Sequence, residues 1–406
     1  MGVAHLASVA SLWAAFQGAF AAGVTTRGGA RGATGEEGTS YDVDIIPGAG
    51  VTANEGRFNL ALGYTPLFNM RDVSREDRAT VVLHTGYLRL GYSEGPLSLS
   101  LSQSGSVGTM AFRGLRTASP DPQAIPNPTM SQAALVPFND VVKVFNESTN
   151  ATVGYRWDGQ LSSGLGAGYA IGGGLGSTEQ VSLPQFRTAN ADVSTNYALS
   201  GTDTLGGSLA GSNIRTHGGT TVDALGNRML SPDYGYWTLA ATLTWSHHYS
   251  RTTSSSLFGG AYGYSTTPVG RTTLYSLVLT GGGSFDAEVM RDGRLVISAG
   301  VGAGVAPAVN GLTSGIQQRV SGTGRVTAAM DEFSLNVSGD GSQTFPVGDP
   351  NAARLVGVGA GFGYAPAKFI DLSIDYRNTW QFAAKDSTRL WIAFLSLSVR
   401  APPVRF

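Results

Sequence analysis

Apolar and polar residues alternate along most of this chain, from about residue 41 to near its end. In Leu97-Ser98-Leu99-Ser100-Leu101-Ser102 every leucine falls on one face and every serine on the other. Trp237, Leu239, Ala241, Leu243 and Trp245 alternate with Thr238, Ala240, Thr242, Thr244 and Ser246. Ile370, Leu372, Ile374 and Tyr376 alternate with Asp371, Ser373, Asp375 and Arg377. Successive side chains of a β-strand point to opposite faces, so each segment has one apolar face and one that is polar or small. Half-buried strands of a soluble sandwich alternate too, but they average about five or six residues, whereas a membrane-crossing strand needs about nine to eleven. Here the pattern runs to the longer measure, as across residues 275–289.

The second face carries Gly, Ser, Thr and Asn with scattered charges, which suits the polar interior of a transmembrane barrel. Aromatic residues favour the strand ends. Trp237 and Trp245 share one apolar face, and at ~3.3 Å per residue with a tilt of roughly 40° they project to about 20 Å along the membrane normal. Girdles of aromatic residues flank an apolar band about 25 Å tall in such barrels. Tyr155, Trp157, Tyr262, Tyr264 and Tyr364 close their strands similarly and complete the candidate girdle.

Short connections alternate with long ones. Ser93-Glu94-Gly95, Trp157-Asp158-Gly159, Arg291-Asp292-Gly293 and Met330-Asp331-Glu332 offer the residues of tight hairpins. The stretches 71–78, 111–141, 177–190 and 217–233 are longer. Short turns on the periplasmic side and long loops outside orient the chain. The expected architecture is all-β, a closed antiparallel transmembrane β-barrel of about 16 strands, with 14–18 as the range. Residues 57–406 form the barrel. Parity leaves 41–56 as an extra N-terminal strand or a periplasmic segment, because a strand there would descend from outside the cell.

Composition agrees with this. Charged residues make up 14% of the chain, against roughly 25% in an average soluble protein, and 57 residues are glycine. The 27 Lys+Arg nearly balance the 28 Asp+Glu, so no basic field attracts nucleic acid. Cysteine is absent, which excludes disulfides and thiolate metal sites. An alanine-rich start ending in Ala19-Phe20-Ala21 reads as a signal peptide over 1–22, although no Lys or Arg precedes it. Residues 23–40 then read as a flexible Gly/Arg/Thr-rich linker.

In this pattern, and in its final Phe406, the chain resembles the porin-like family of bacterial outer-membrane β-barrels. The resemblance implies a Gram-negative outer-membrane location, contact with outer-membrane lipid and lipopolysaccharide, and assembly through the C-terminal strand and Phe406 by the barrel-assembly machinery. In the family the terminal Phe lies in the last strand. Here Ala401-Pro402-Pro403-Val404-Arg405 separates Phe406 from the alternating Leu395, Leu397 and Val399.

Chemistry is sparse. The five histidines offer no metal set, since His247 and His248 are adjacent on a strand and face opposite sides. Gly164-Leu165-Gly166-Ala167-Gly168 lacks the strand–turn–helix context of a phosphate loop. No catalytic residue, cofactor or metal site is expected. Candidate lumen charges are Arg89, Arg156, Asp286, Glu288, Arg319, Arg325, Asp371, Asp375 and Arg377. Their mixed signs imply weak charge selectivity in a pore for small solutes. The alternatives are a filled structural or adhesive barrel presenting its loops, and a hydrolase at the rim, where His217, Asp223 and Asp233 share one loop. A solenoid would show a fixed short repeat, and none is found.

Overall fold

A computed structural model describes residues 17–33, 39–71, 79–111, 141–176, 185–217, 220–222, 228–230, 234–268, 274–309, 316–345, 354–382 and 387–405. The prolines of the expected 111–141 loop and Phe406 lie outside these residues. Among the described residues the chain runs through β1 Gln17–Ala33, β2 Ser40–Glu55, β3 Phe58–Tyr64, β4 Leu67–Arg71, β5 Ala79–Glu94, β6 Leu97–Ala111 and β7 Val141–Arg156. There follow β8 Leu161–Gly174, β9 Phe186–Ala198, β10 Asp203–Thr216, β11 Thr220–Val222, β12 Arg228–Leu230, β13 Tyr234–His248, β14 Thr253–Pro268 and β15 Leu274–Asp292. The last are β16 Leu295–Val309, β17 Ile316–Met330, β18 Phe333–Phe345, β19 Arg354–Ala367, β20 Ile370–Phe382, β21 Ser387–Arg400 and β22 Val404–Arg405.

The strands form one antiparallel sheet apart from the small β11–β12 hairpin, and β1 pairs with both β2 and β21, which closes the sheet into a barrel. β3 and β4 are two lengths of one stave, interrupted at Thr65-Pro66 and both paired with β5. β22 continues β21 beyond Ala401-Pro402-Pro403, with Val404 opposite Phe20 and Arg405 opposite Ala19. Proline has no N–H for the ladder, so both interruptions fall where the ladder cannot run unbroken. The segment before Phe406 is therefore part of the barrel edge and not a separate tail.

Counted this way the described barrel has 18 staves, within the expected range of 14–18 and two above its central value. The main correction is at the N-terminus. Residues 17–33, read as the end of a signal and the start of a linker, form β1, and Ala19-Phe20-Ala21 pairs with Thr52, Val51 and Gly50 of β2. Residues 1–16 lie outside the described residues. Residues 41–56 are the body of β2 and the start of its turn. β1 is the ascending strand that parity lacked. Its backbone is paired with β21 from Gly23–Arg400 to Ala33–Leu390. Without it, β2 and β21 would each present a bare edge to lipid, at a cost of several kcal/mol per unsatisfied group.

Short turns lie at one end, at Gly56, Gly95, Gly293 and Asp331, where φ is between 50° and 57°. Glycine holds three of these four positions because a side chain is strained there. The strand ends joined by the longer connections, such as Arg71 with Ala79 and Ala111 with Val141, lie at the other end, which is the external one. The expected loop 177–190 is shorter than predicted, since β9 already begins at Phe186.

Candidate lumen wall and membrane belts

Register decides which side chains face the lumen. Leu239 is 56% and Leu243 66% exposed, while Thr238, Ala240 and Thr242 between them are buried. The first set faces lipid and the second faces inward. Neighbouring strands inherit this assignment pair by pair, because directly opposed residues share a face.

All nine candidate lumen charges fall on the inward face by this register. Asp286 and Arg325 reach one another at 2.7 Å across Gly300. A Cβ at Gly300 would stand 3.0 Å from Arg325 Nε, so the missing side chain leaves room for the pair. Arg377 donates to Asp340 at 2.6 Å across Gly357 in the same manner. Asp371 pairs with Arg400, Glu288 with Arg291 at 2.7 Å, and Arg319 donates to Ser342 at 2.8 Å. Arg89 lies over the Tyr87 ring at 5.4 Å, and Asp375 accepts from Ser373 at 3.2 Å. Arg156 is exposed at the periplasmic end.

A second ionic group was not anticipated. Arg27 on β1 gives two bonds to Asp44 Oδ2, at 2.9 and 2.7 Å, and Asn69 donates to Oδ1 at 2.5 Å. Asp44 is 7% exposed, and Arg27 also stacks on Phe394 at 4.5 Å. This cluster ties β1, β2, β4 and β21 together at the closure. Arg27 had been placed in a linker, so its partnership with the alternating Asp44 was not legible.

The wall from β6 to β9 has a different character. Its inward face presents Ser98, Ser100, Ser102, Ser104 and Ser106, then Asn146, Ser148, Asn150 and Thr152, then Asn190, Asp192, Ser194 and Asn196. Ser100 and Thr152 hydroxyls meet at 2.6 Å, and Ser104 and Ser148 at 2.8 Å. Between β7 and β9, the β8 face is glycine at 164, 166, 168 and 172. A Cβ at Gly168 would come within 2.5 Å of Asn150 Oδ1 and 2.6 Å of Asn190 Oδ1, so amides lean over this strand from both sides.

Opposite in character again is the inward cluster Ile214, Tyr236, Ala240, Tyr262, Tyr264 and Val278. Tyr262 is 1% exposed and sits opposite Ala240 and Val278, and Tyr264 sits opposite Thr238. Neither belongs to the aromatic girdle. The outward positions of β14 are Leu257, Gly259, Ala261, Gly263 and Ser265, so its aromatic residues all lie on the inner face.

The remaining girdle candidates face outward. Trp237 is 61% exposed near the external end, in one register row with Tyr169, Ala189, Asn213 and Tyr275. Trp245 lies near the other end, in a row with Leu161, Tyr197 and Leu205. Tyr155 and Trp157 pack edge-on at 4.8 Å, and Tyr364 stacks on Phe333 at 4.7 Å.

A family model described as the EpsX exopolysaccharide export family matches residues 6–231, more than half of the chain. A search of curated proteins found no match. Among solved structures the chain is similar to the FrpB iron transporter from Neisseria meningitidis, with a TM-score of 0.52, 11% identity, and coverage of 89% of this chain and 61% of that one. It is also similar to Pseudomonas aeruginosa OpdO (TM-score 0.49, 15% identity, 95% and 97% covered) and OccK2 (0.49, 12%, 95% and 98%). At such identities the likeness is one of fold.

Proposed function

Because this porin-like outer-membrane β-barrel belongs to the EpsX exopolysaccharide export family, we propose that it is a passive conduit across the outer membrane for hydrophilic, hydroxyl-rich solutes, saccharide chains among them. The carrying observation is the β6–β9 wall, where hydroxyls and amides face the lumen and Ser100, Asn150 and Asn196 are exposed. A hydroxyl-rich chain exchanges hydrogen bonds with such a wall without meeting a fixed charge at every step, as binding must be weak and multi-site for transit. The family match spans this wall. Weak charge selectivity follows from the pairing of Asp286, Glu288, Asp371 and Asp340 with arginines. Assembly through β21, β22 and Phe406 belongs to the same reading.

The buried Tyr236–Tyr262–Tyr264 cluster favours a second reading, a barrel filled on that side and serving as a surface structure. Single-channel recording on refolded protein separates the two, with a heat-modifiability gel confirming the fold. Steps proportional to salt concentration support the conduit. A folded barrel that stays silent removes it and leaves the structural reading.

A further inference from the structure

We propose that Arg187 and Arg215 form a binding site for the phosphate groups of an outer-leaflet glycolipid of the lipopolysaccharide type. The two residues are directly opposed in the β9–β10 ladder. Both lie on the lipid face, since Val193 and Leu209, opposed six residues along the same strands, are 45% and 46% exposed. Both side chains are exposed, and neither makes an ion pair among the described residues. Like charges directly opposed on a sheet are destabilising. An anion between them turns that repulsion into attraction, and two guanidinium forks match the geometry of phosphate oxygens.

Depth selects the source of the anion. Arg215 is ten residues beyond Leu205 on β10, which projects to about 25 Å from the periplasmic row, the full height of the apolar band. The register row beneath holds Trp237, Asn213 and Tyr169. The ladder continues above through Lys143 and His217, whose side chains are exposed. Glu147, the carboxylate of the arginine row, accepts from Gln103 at 3.0 Å and is separated from Arg187 by Ile171. The arginines therefore stand at the headgroup level of the outer leaflet. This site is independent of whether the lumen conducts.

The test titrates refolded full-length protein in detergent with bis-phosphorylated lipid A and with its dephosphorylated form, counting bound lipid by native mass spectrometry. At about 1 kcal/mol per basic residue near a charged lipid surface, R187Q/R215Q is expected to lose roughly thirtyfold in affinity for lipid A. Dephosphorylated lipid should not distinguish the two proteins, and Arg294→Gln in a periplasmic turn should bind as wild type. Equal binding of lipid A by wild type and the double variant overturns the proposal. So does binding of dephosphorylated lipid to wild type as tight as that of lipid A. If the double variant lacks a heat-modifiable form, Arg215→Gln alone carries the test, with roughly a fivefold loss expected.

Discussion

Small polar contacts hold the turns and the seam of this barrel. Asp158 Oδ1 accepts from the backbone N–H of Gln160 at 2.7 Å and of Leu161 at 2.6 Å, closing the β7–β8 turn. The bonds from Leu161 and Gln160 favour the carboxylate and hold it below its ordinary value of 3.8. A depressed carboxylate contributes stability above its unfolded pKa and loses it as pH falls through the folded value. Asp158→Asn should keep the turn but lose this pH dependence, whereas Asp158→Ala should lose the turn at every pH. Heat-modification midpoints between pH 2 and 7 check both, and an unchanged acid limb in Asp158→Asn contradicts the assignment. At the seam, Asp44 is buried and holds both Arg27 and Asn69. Asp44→Ala strands Arg27 and Asn69. Since the Arg27 side chain is 36% exposed, solvent screens part of the loss, and about 1–2 kcal/mol is expected in urea unfolding in micelles.

At the scale of the element, β1 decides between 16 and 18 strands. Its outward positions are Phe20, Ala22, Val24, Thr26, Gly28, Ala30 and Gly32, read from the opposing outward residues of β2 and β21. Such small side chains give alternation of low amplitude, and the alanine-rich start imitates an export signal. β14 misled for the opposite reason. Its alternation is strong, but the bulky set Phe258, Tyr262 and Tyr264 faces the lumen, and only pairing with β13 and β15 reveals that. Where both walls of a strand can be apolar, the period of two remains legible while the face does not. β13, with polar residues on one side, was legible in full. Closure can be tested chemically because the chain has no native cysteine. Thr26 and Leu397 are directly opposed across β1 and β21, at a Cα separation of about 4.5–5.5 Å that a disulfide spans. T26C/L397C should oxidise to a barrel locked at its seam, which stays compact on a boiled, non-reducing gel. A pair that remains reduced would remove β1 from the closure.

On the scale of the whole molecule the lumen has unlike walls. β6–β9 is rich in hydroxyls and amides, with Asp192 and Arg156 as its inward charges, β10–β15 includes the buried tyrosine cluster, and β15–β21 carries charges joined in pairs across glycine gaps. The charges were legible because alternation placed each on a polar face. Their pairing was not, since it depends on Gly300 and Gly357 leaving space between strands distant in sequence. That pairing predicts how selectivity responds to mutation. Arg325→Gln leaves Asp286 uncompensated and should bias the pore toward cations. Asp286→Asn leaves Arg325 and should bias it toward anions by a similar amount. The double variant should return near the wild-type value, because the lumen's net charge is then unchanged. The two side chains are 68% and 43% exposed, so water screens them strongly. An interaction of about 1 kcal/mol at 4 Å in water limits the bias to roughly fivefold in permeability ratio. Reversal potentials under a salt gradient read all three variants. If neither single substitution moves the potential, permeating ions do not pass this wall, and the current must be sought along the serine and asparagine face of β6–β9.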